Sequence, residues 1–195
     1  MTRVDGIVLA AGRSRRMGTS KAQLEVRPGT TFLEQAVHLL RGAGCRFVVA
    51  VVNADEDWTA RLADVAGAAV VINERQDSQQ IDSLRLGLAY LPDDSEGVIV
   101  LPVDFPGVRL ETVARLLESF RERGAAITVP TCDGTPGHPV IFARAVYGEL
   151  LADPLPAGAE SVVEAHINDR AEVPVDDTAV LHDVDSVADL RRFSR

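Results

Sequence analysis

VDGIVLAAGRSRRMGTSK, residues 4–21, is the stretch on which the reading of this chain turns. Its first part, Val4 to Ala10, is a short apolar run stopped by Ala11-Gly12, the pattern of a buried strand. The rest is a polar, Gly- and Arg-containing loop that reaches Lys21. Small residues at Ala10, Ala11 and Gly12 let a ligand approach the backbone and offer N–H donors to phosphate oxygens. Arg15, Arg16 and Lys21 add positive charge to the same loop. Such a loop can also be no more than a solvated joint between strand and helix. Two familiar phosphate loops are excluded by spacing. A P-loop has four residues between its glycines, then Lys-Ser/Thr, whereas Gly12 and Gly18 are separated by five and followed by Thr19. A dinucleotide fingerprint has Gly-x-Gly-x-x-Gly, and here Gly12 is followed by Arg-Ser-Arg.

Outward from this loop, apolar strands and amphipathic helices alternate. Thr31 with Glu34 three residues later is a helix capping box. Phe32, Leu33, Ala36, Val37, Leu39 and Leu40 then recur at helical spacing until Gly42 and Gly44. Further strands are expected at 47–52, 70–72, 98–101, 127–129 and 140–142, with a turn or hairpin at 132–137. Helices are expected at 58–65, around Ile81 to Leu91, around Val113 to Phe120, and at 143–151 and 160–167. Two short strands and a helix at 187–193 are expected to close the chain. This alternation predicts a mostly parallel sheet with helices on both faces, in one domain spanning residues 1–195. Ligands of such sheets bind at the carboxyl ends of the strands.

Composition narrows the partners. A net charge of −9 argues against nucleic acid. Yet residues 1–27 hold Arg3, Arg13, Arg15, Arg16, Lys21 and Arg27 against Asp5 and Glu25 alone, which suggests a site for a compact anion. Lys21 is the only lysine in the chain. An ammonium acts on phosphate as a point charge, unlike a guanidinium fork. Cys45 and Cys132 offer neither a zinc spacing nor a disulfide framework. No apolar run approaches the ~20 residues of a membrane span, and nothing resembles a signal peptide. A cytoplasmic protein with no membrane partner is expected.

Asp104 follows the apolar VIVL of residues 98–101 and lies between Pro102 and Pro106, on stiff backbone at a ligand-facing edge. A turn or helix-capping aspartate is the alternative. Magnesium needs only one or two protein carboxylates, because waters and substrate phosphates complete its octahedron. Asp183 and Asp185 are further candidate carboxylates.

LAAGRSRRMGTSK, residues 9–21, resembles the signature Leu-Ala-(Ala/Gly)-Gly-x-(Ser/Gly)-x-Arg-(Met/Leu)-Gly-x-x-Lys of nucleotidyltransferases with a MobA-like fold. SLRLGL (83–88), LPVDFP (101–106), GHPVIF (137–142) and DVDSVADL (183–190) resemble later segments of the molybdenum-cofactor branch, in order. Gln79 and Asp82 depart from that branch, and Ser186-Val187-Ala188 replaces its Thr-Pro-Glu. The resemblance implies a three-layer α/β/α, Rossmann-like nucleotidyltransferase (GT-A-like) fold. It implies an NTP substrate and Mg²⁺ held by Asp104 with Asp183 or Asp185. It places Leu9, Ala10, Ala11 and Gly12 on the base or ribose, Lys21 on phosphate, Ser83 near the base and His138 by a phosphorylated acceptor. Arg15 and Lys21 would offset charge developing towards pyrophosphate. LAAG rather than LAGG is similar to the cytidylyl members, so CTP is favoured over GTP, with molybdopterin carrying molybdenum as acceptor and a molybdoenzyme as recipient. A sugar-phosphate or methylerythritol-phosphate acceptor is the enzymatic alternative. A nucleotide-binding maturation factor without turnover is the non-enzymatic one.

Overall fold

The structure, a computed structural model, describes residues 2–12, 20–75, 77–185 and 189. Three apolar runs, β1 (Val4–Leu9), β4 (Val48–Asn53) and β6 (Gly97–Pro102), are buried at every position, as strands covered on both faces must be. Between β1 and β4 come the short hairpin β2 (Glu25–Arg27) and β3 (Thr30–Thr31) and the helix α1 (Phe32–Gly42). After β4 follow α2 (Asp57–Val65), β5 (Ala69–Asn73) and α3 (Gln80–Ala89). After β6 follow α4 (Leu110–Arg123), β7 (Ile127–Cys132), β8 (Thr135–Pro136), β9 (Val140–Ala143), α5 (Tyr147–Leu151), α6 (Ala159–Ala165) and β10 (Ala171–Pro174).

The sheet order is β10-β7-β9-β6-β1-β4-β5, with β8 paired to β7. Strands β5, β4, β1 and β6 run parallel; β9 is antiparallel to both β6 and β7. Alternate side chains of β1 divide between the two faces. Val4 and Val8 meet α1, α2 and α4, while Ile7 and Leu9 meet α3, α5 and α6. The result is the three-layer, mostly parallel α/β architecture expected from the sequence.

Local chemistry explains the elements that position the site. Thr31 and Glu34 form the expected capping box: the Thr31 N–H donates to Glu34 Oε2 at 2.8 Å and the Glu34 N–H to Thr31 Oγ1 at 3.3 Å. α3 lies so close to β1 that a Cβ on Gly87 would come within 2.9 Å of Ile7, so the small residue sets that packing distance. The hairpin β2–β3 is not among the elements read from the sequence. Its Pro28-Gly29 corner, with Gly29 at φ 77°, is the turn chemistry that could have shown it.

Two expectations need correction. Of the two closing strands expected, one, β10, forms among the described residues; Thr178–Leu181 is a 3₁₀ turn, started by Asp177, whose Oδ1 accepts from the Ala179 N–H at 3.3 Å. The expected helix at 143–151 is a 3₁₀ turn over Arg144–Val146 running into the five-residue α5. The helix expected at 187–193 falls outside the described residues apart from Asp189. Among the described residues, no helix is long and apolar enough to cross a membrane.

Candidate active site

β1 and β6 are parallel neighbours, with Leu9 opposite Pro102, so the chain leaves both at the same sheet edge. The Val103 N–H donates to the Leu9 carbonyl at 3.0 Å and the Ala10 N–H to Val51 at 2.9 Å. Ala10, Ala11 and Gly12 therefore emerge beside Val103 and Asp104. A Cβ on Gly12 would meet nothing within 4 Å among the described residues.

Lys21 returns the chain to this edge. Its Nζ donates to Asp104 Oδ2 at 3.1 Å and also to Asp185 Oδ1, with the lysine side chain only 14% exposed. Burial pulls the Lys21 pKa down, but hydrogen bonding to Asp185 and the charge and hydrogen bond of Asp104 outweigh it, so the ammonium titrates above the ordinary lysine value.

Asp183 and Asp185 arrive from the far end of the sequence. Between them Val184 is buried in the core beneath α1 and α4, and its N–H donates to the Asp104 carbonyl at 2.8 Å. That bond and the buried valine fix the segment against Asp104. One oxygen from each of Asp104, Asp183 and Asp185 lies within 4.8 Å of the others. Burial and the neighbouring charges of Asp185 and Asp104 push the Asp183 pKa up. A set of clustered carboxylate oxygens, already gathering an ammonium, suits a hard divalent cation of the Mg²⁺ or Mn²⁺ kind.

His138 stands on the other side of Asp104. Its ring packs against Phe105 at 4.7 Å between centroids, and its backbone N–H donates to the Val180 carbonyl at 2.9 Å. Its Nδ1 is buried with no hydrogen-bond partner among the described residues. Burial lowers the imidazole pKa, the charge of Asp104 opposing in part, which favours a neutral ring. His138 lines a cavity of about 440 Å³ on the α3/α6 side of the sheet. Leu9, Ile81, Leu84, Val100, Val129, Val140 and Phe142 give it apolar walls, and Gln79, Gln80 and Glu160 give it polar ones.

Lys21, Asp104, Asp183, Asp185, His138 and the Leu9–Gly12 segment thus share one end of the sheet. Ser83 is not among the residues that line the cavity. It is buried between α3 and β5, where its Oγ accepts from Asn73 Nδ2 at 2.9 Å, and the cavity is lined by Gln79–Ile81 and Leu84 instead. Arg15 lies outside the described residues. The departure at Asp82 has a local cause: its carboxylate accepts from the Gln79 N–H at 2.9 Å and from Arg75 at 3.1 Å, closing the start of α3.

Residues that sequence reasoning missed are mostly supports. Phe105 packs at a tilt on His138, Val184 ties two carboxylates to a third, and Asp177 accepts from Thr112 Oγ1 at 2.6 Å and the Arg109 N–H at 3.0 Å. Asp177 thereby joins the start of α4 to the turn carrying Val180. Phe105, inside the Val-Asp-Phe-Pro motif, and Val184, inside Asp-Val-Asp, gave a sequence signal.

Residues 6–171 match the MobA-like NTP transferase domain. The chain belongs to that family. By family it is a nucleotidyltransferase. A "Probable molybdenum cofactor guanylyltransferase" of Mycobacterium marinum is 28% identical over 198 residues, covering 95% of this chain and 90% of that protein. A "Nicotine blue oxidoreductase" of Paenarthrobacter nicotinovorans is 29% identical over 149 residues, covering 71% of this chain and 70% of that protein. Among solved structures, Rv0371c of Mycobacterium tuberculosis is 31% identical with a TM-score of 0.83, covering 98% of this chain and 97% of that one. A structure of Rv0371c in complex with manganese aligns at 26% identity and a TM-score of 0.79, over 98% of this chain and 97% of that one.

Proposed function

We propose that this nucleotidyltransferase is a cytoplasmic, Mg²⁺-dependent enzyme that moves a nucleoside monophosphate, CMP from CTP first of all, onto a phosphorylated acceptor. Molybdopterin carrying molybdenum is the acceptor we favour, with a molybdoenzyme as recipient of the product. The observation that carries the reading is the junction of Leu9 with Pro102, which sets the Ala10–Gly12 backbone and Lys21 against Asp104 on one edge. The matched family and the guanylyltransferase relative support transfer to a molybdenum cofactor; the Leu-Ala-Ala-Gly start favours CTP.

In the reaction an acceptor phosphate oxygen attacks the α-phosphorus, the bond from that phosphorus to its bridging oxygen breaks, and pyrophosphate leaves with the bond electrons. A phosphate monoester is already largely ionised at neutral pH, its second pKa being ~6, so no residue has to remove a proton from the nucleophile. Catalysis then rests on positioning and charge. Ala10, Ala11 and Gly12 present backbone N–H groups to the nucleotide. Arg15 and Lys21 offset charge that builds up on the departing phosphates. Asp104, with Asp183 and Asp185, would hold Mg²⁺, which supplies Lewis-acid charge to the phosphates when bound. His138, neutral and packed against Phe105, orients the acceptor at the cavity it lines.

A second reading, an oxidoreductase activity, follows from the nicotine blue oxidoreductase relative. One panel separates the readings. Purified protein with Mg²⁺ is offered CTP, GTP, ATP and UTP against molybdenum-loaded molybdopterin, methylerythritol phosphate and sugar phosphates, with pyrophosphate release as readout. Nicotinamide oxidation is followed in parallel. Pyrophosphate from CTP and molybdopterin is the expected result. Release with a sugar or methylerythritol phosphate alone moves the acceptor, and CTP binding without release from any pair supports a maturation factor. Nicotinamide oxidation without pyrophosphate release overturns the transferase.

A further inference from the structure

The single lysine of the chain is spent on carboxylates. Lys21 is held by Asp104 and Asp185, two of the three residues that offer an oxygen to one another's neighbourhood, and its side chain is largely enclosed while it does so. It follows a segment whose other cations, Arg13, Arg15 and Arg16, are all guanidinium groups. An ammonium is a compact point charge that sits among carboxylate oxygens as a small cation does. The oxygens it holds are the ones a divalent cation would have to take.

We propose that Lys21 is the resident counter-ion of the Asp104–Asp183–Asp185 cluster and competes with the divalent cation for it. The inference rests on the assignment of these carboxylates to a metal under the proposed function. Two physical effects act in one direction. Entry of the cation requires the ammonium to give up its hydrogen bonds to Asp104 and Asp185. Any ammonium that stays nearby repels a doubly charged ion. The protein without nucleotide is therefore a weak metal binder by construction. Anything that offers Lys21 another anionic partner, a triphosphate first of all, strengthens the metal site, and by linkage the metal strengthens triphosphate binding. Lys21 is a positioning residue for the metal in addition to its place on phosphate.

The test measures Mn²⁺ binding to nucleotide-free protein, from the electron paramagnetic resonance signal of free Mn²⁺, for wild type, K21Q, K21R and D104N. At a separation of ~5 Å, repulsion between a single and a double positive charge even in bulk water corresponds to about a tenfold change in affinity. K21Q is therefore expected to bind Mn²⁺ about tenfold more tightly than wild type. K21R, which keeps the charge, is expected to remain close to wild type, and D104N to lose binding. Thermal unfolding of each variant confirms that it is folded. If wild type binds Mn²⁺ and folded K21Q binds it equally or more weakly, the competition is wrong and the metal assignment stands. If K21R tightens binding as much as K21Q, charge is not the cause and the proposal is overturned. If no folded variant binds Mn²⁺, the proposal falls together with the metal assignment beneath it.

Discussion

β1 and β6 carry an acid–base cluster at each end, and the two clusters are built for different purposes. At the closed end the Arg3 Nε donates to Asp5 Oδ1 and Oδ2 at 3.2 and 3.0 Å, Arg3 also reaches Asp94, and the Phe47 N–H donates to Asp5 Oδ1 at 3.1 Å. The Asp5 side chain is wholly buried, and a forked guanidinium locks it. At the open end one ammonium holds two of three clustered carboxylates, and the third, Asp183, is crowded enough to hold its proton more tightly than usual. A buried, saturated pair stabilises the fold. A crowded, exchangeable group of charges keeps a site ready for something else.

Substitution at the two ends should break this contrast if it is wrong. Asp104→Ala is expected to lower CTP-dependent turnover by at least ~100-fold. It should leave the melting temperature within about 2 °C of wild type, because it relieves like-charge crowding. Asp5→Ala is expected to do the reverse. Losing the carboxylate leaves the Phe47 N–H without its acceptor, at a cost of about 2 kcal/mol. In a chain of this size that is a fall of roughly 4–8 °C in thermal unfolding. A large loss of stability in the first variant, or of turnover per folded molecule in the second, would erase the distinction.

A steric variant sharpens it further. A Cβ on Gly137 would lie 2.2 Å from the Val180 carbonyl oxygen, a backbone atom that must move. That carbonyl also anchors His138, so Gly137→Ala is expected to cost about 1–3 kcal/mol and to loosen the histidine. The kinetic signature should be a KM for the acceptor raised several-fold with the KM for the NTP little changed. Equal rises in both constants would place His138 outside acceptor recognition.

The smallest expected effect concerns protons. Burial lowers the His138 pKa, while hydrogen bonding to Glu149 raises that of His166 on the far side of the molecule. The unfolded values of both lie near ~6.5. His138 therefore contributes stability above pH ~6.5 that is lost as pH falls through its lower folded value. His166 contributes stability below pH ~6.5 that is lost as pH rises through its higher folded value. Imidazole NMR shifts followed against pH should show His138 titrating below His166. The opposite order would mean that His138 is solvated or charge-paired.

Much of this was legible in the chain itself. The buried runs at β1, β4 and β6 need no partner to be recognised, because a strand covered on both faces is mostly apolar. The Thr31–Glu34 cap is equally local. The tail was harder to read. The two closing strands had no clear bounds in the sequence, and at Thr178–Leu181 Asp177 accepts from the Ala179 N–H and turns the chain. Ser83 lay within a motif-like segment, yet its hydroxyl is committed to Asn73, a partner on the neighbouring strand.

The sequence by itself determined the layers, the strand ends and the residue types available at them, since hydrophobic period, turn chemistry and charge are properties of neighbours along the chain. Only the tertiary structure decided that Lys21, Asp104 and Asp185 meet. Those residues are separated by up to 164 positions. They are brought together by the parallel register of β1 with β6 and by one N–H bond from Val184 to Asp104, contacts that exist only once the sheet has closed.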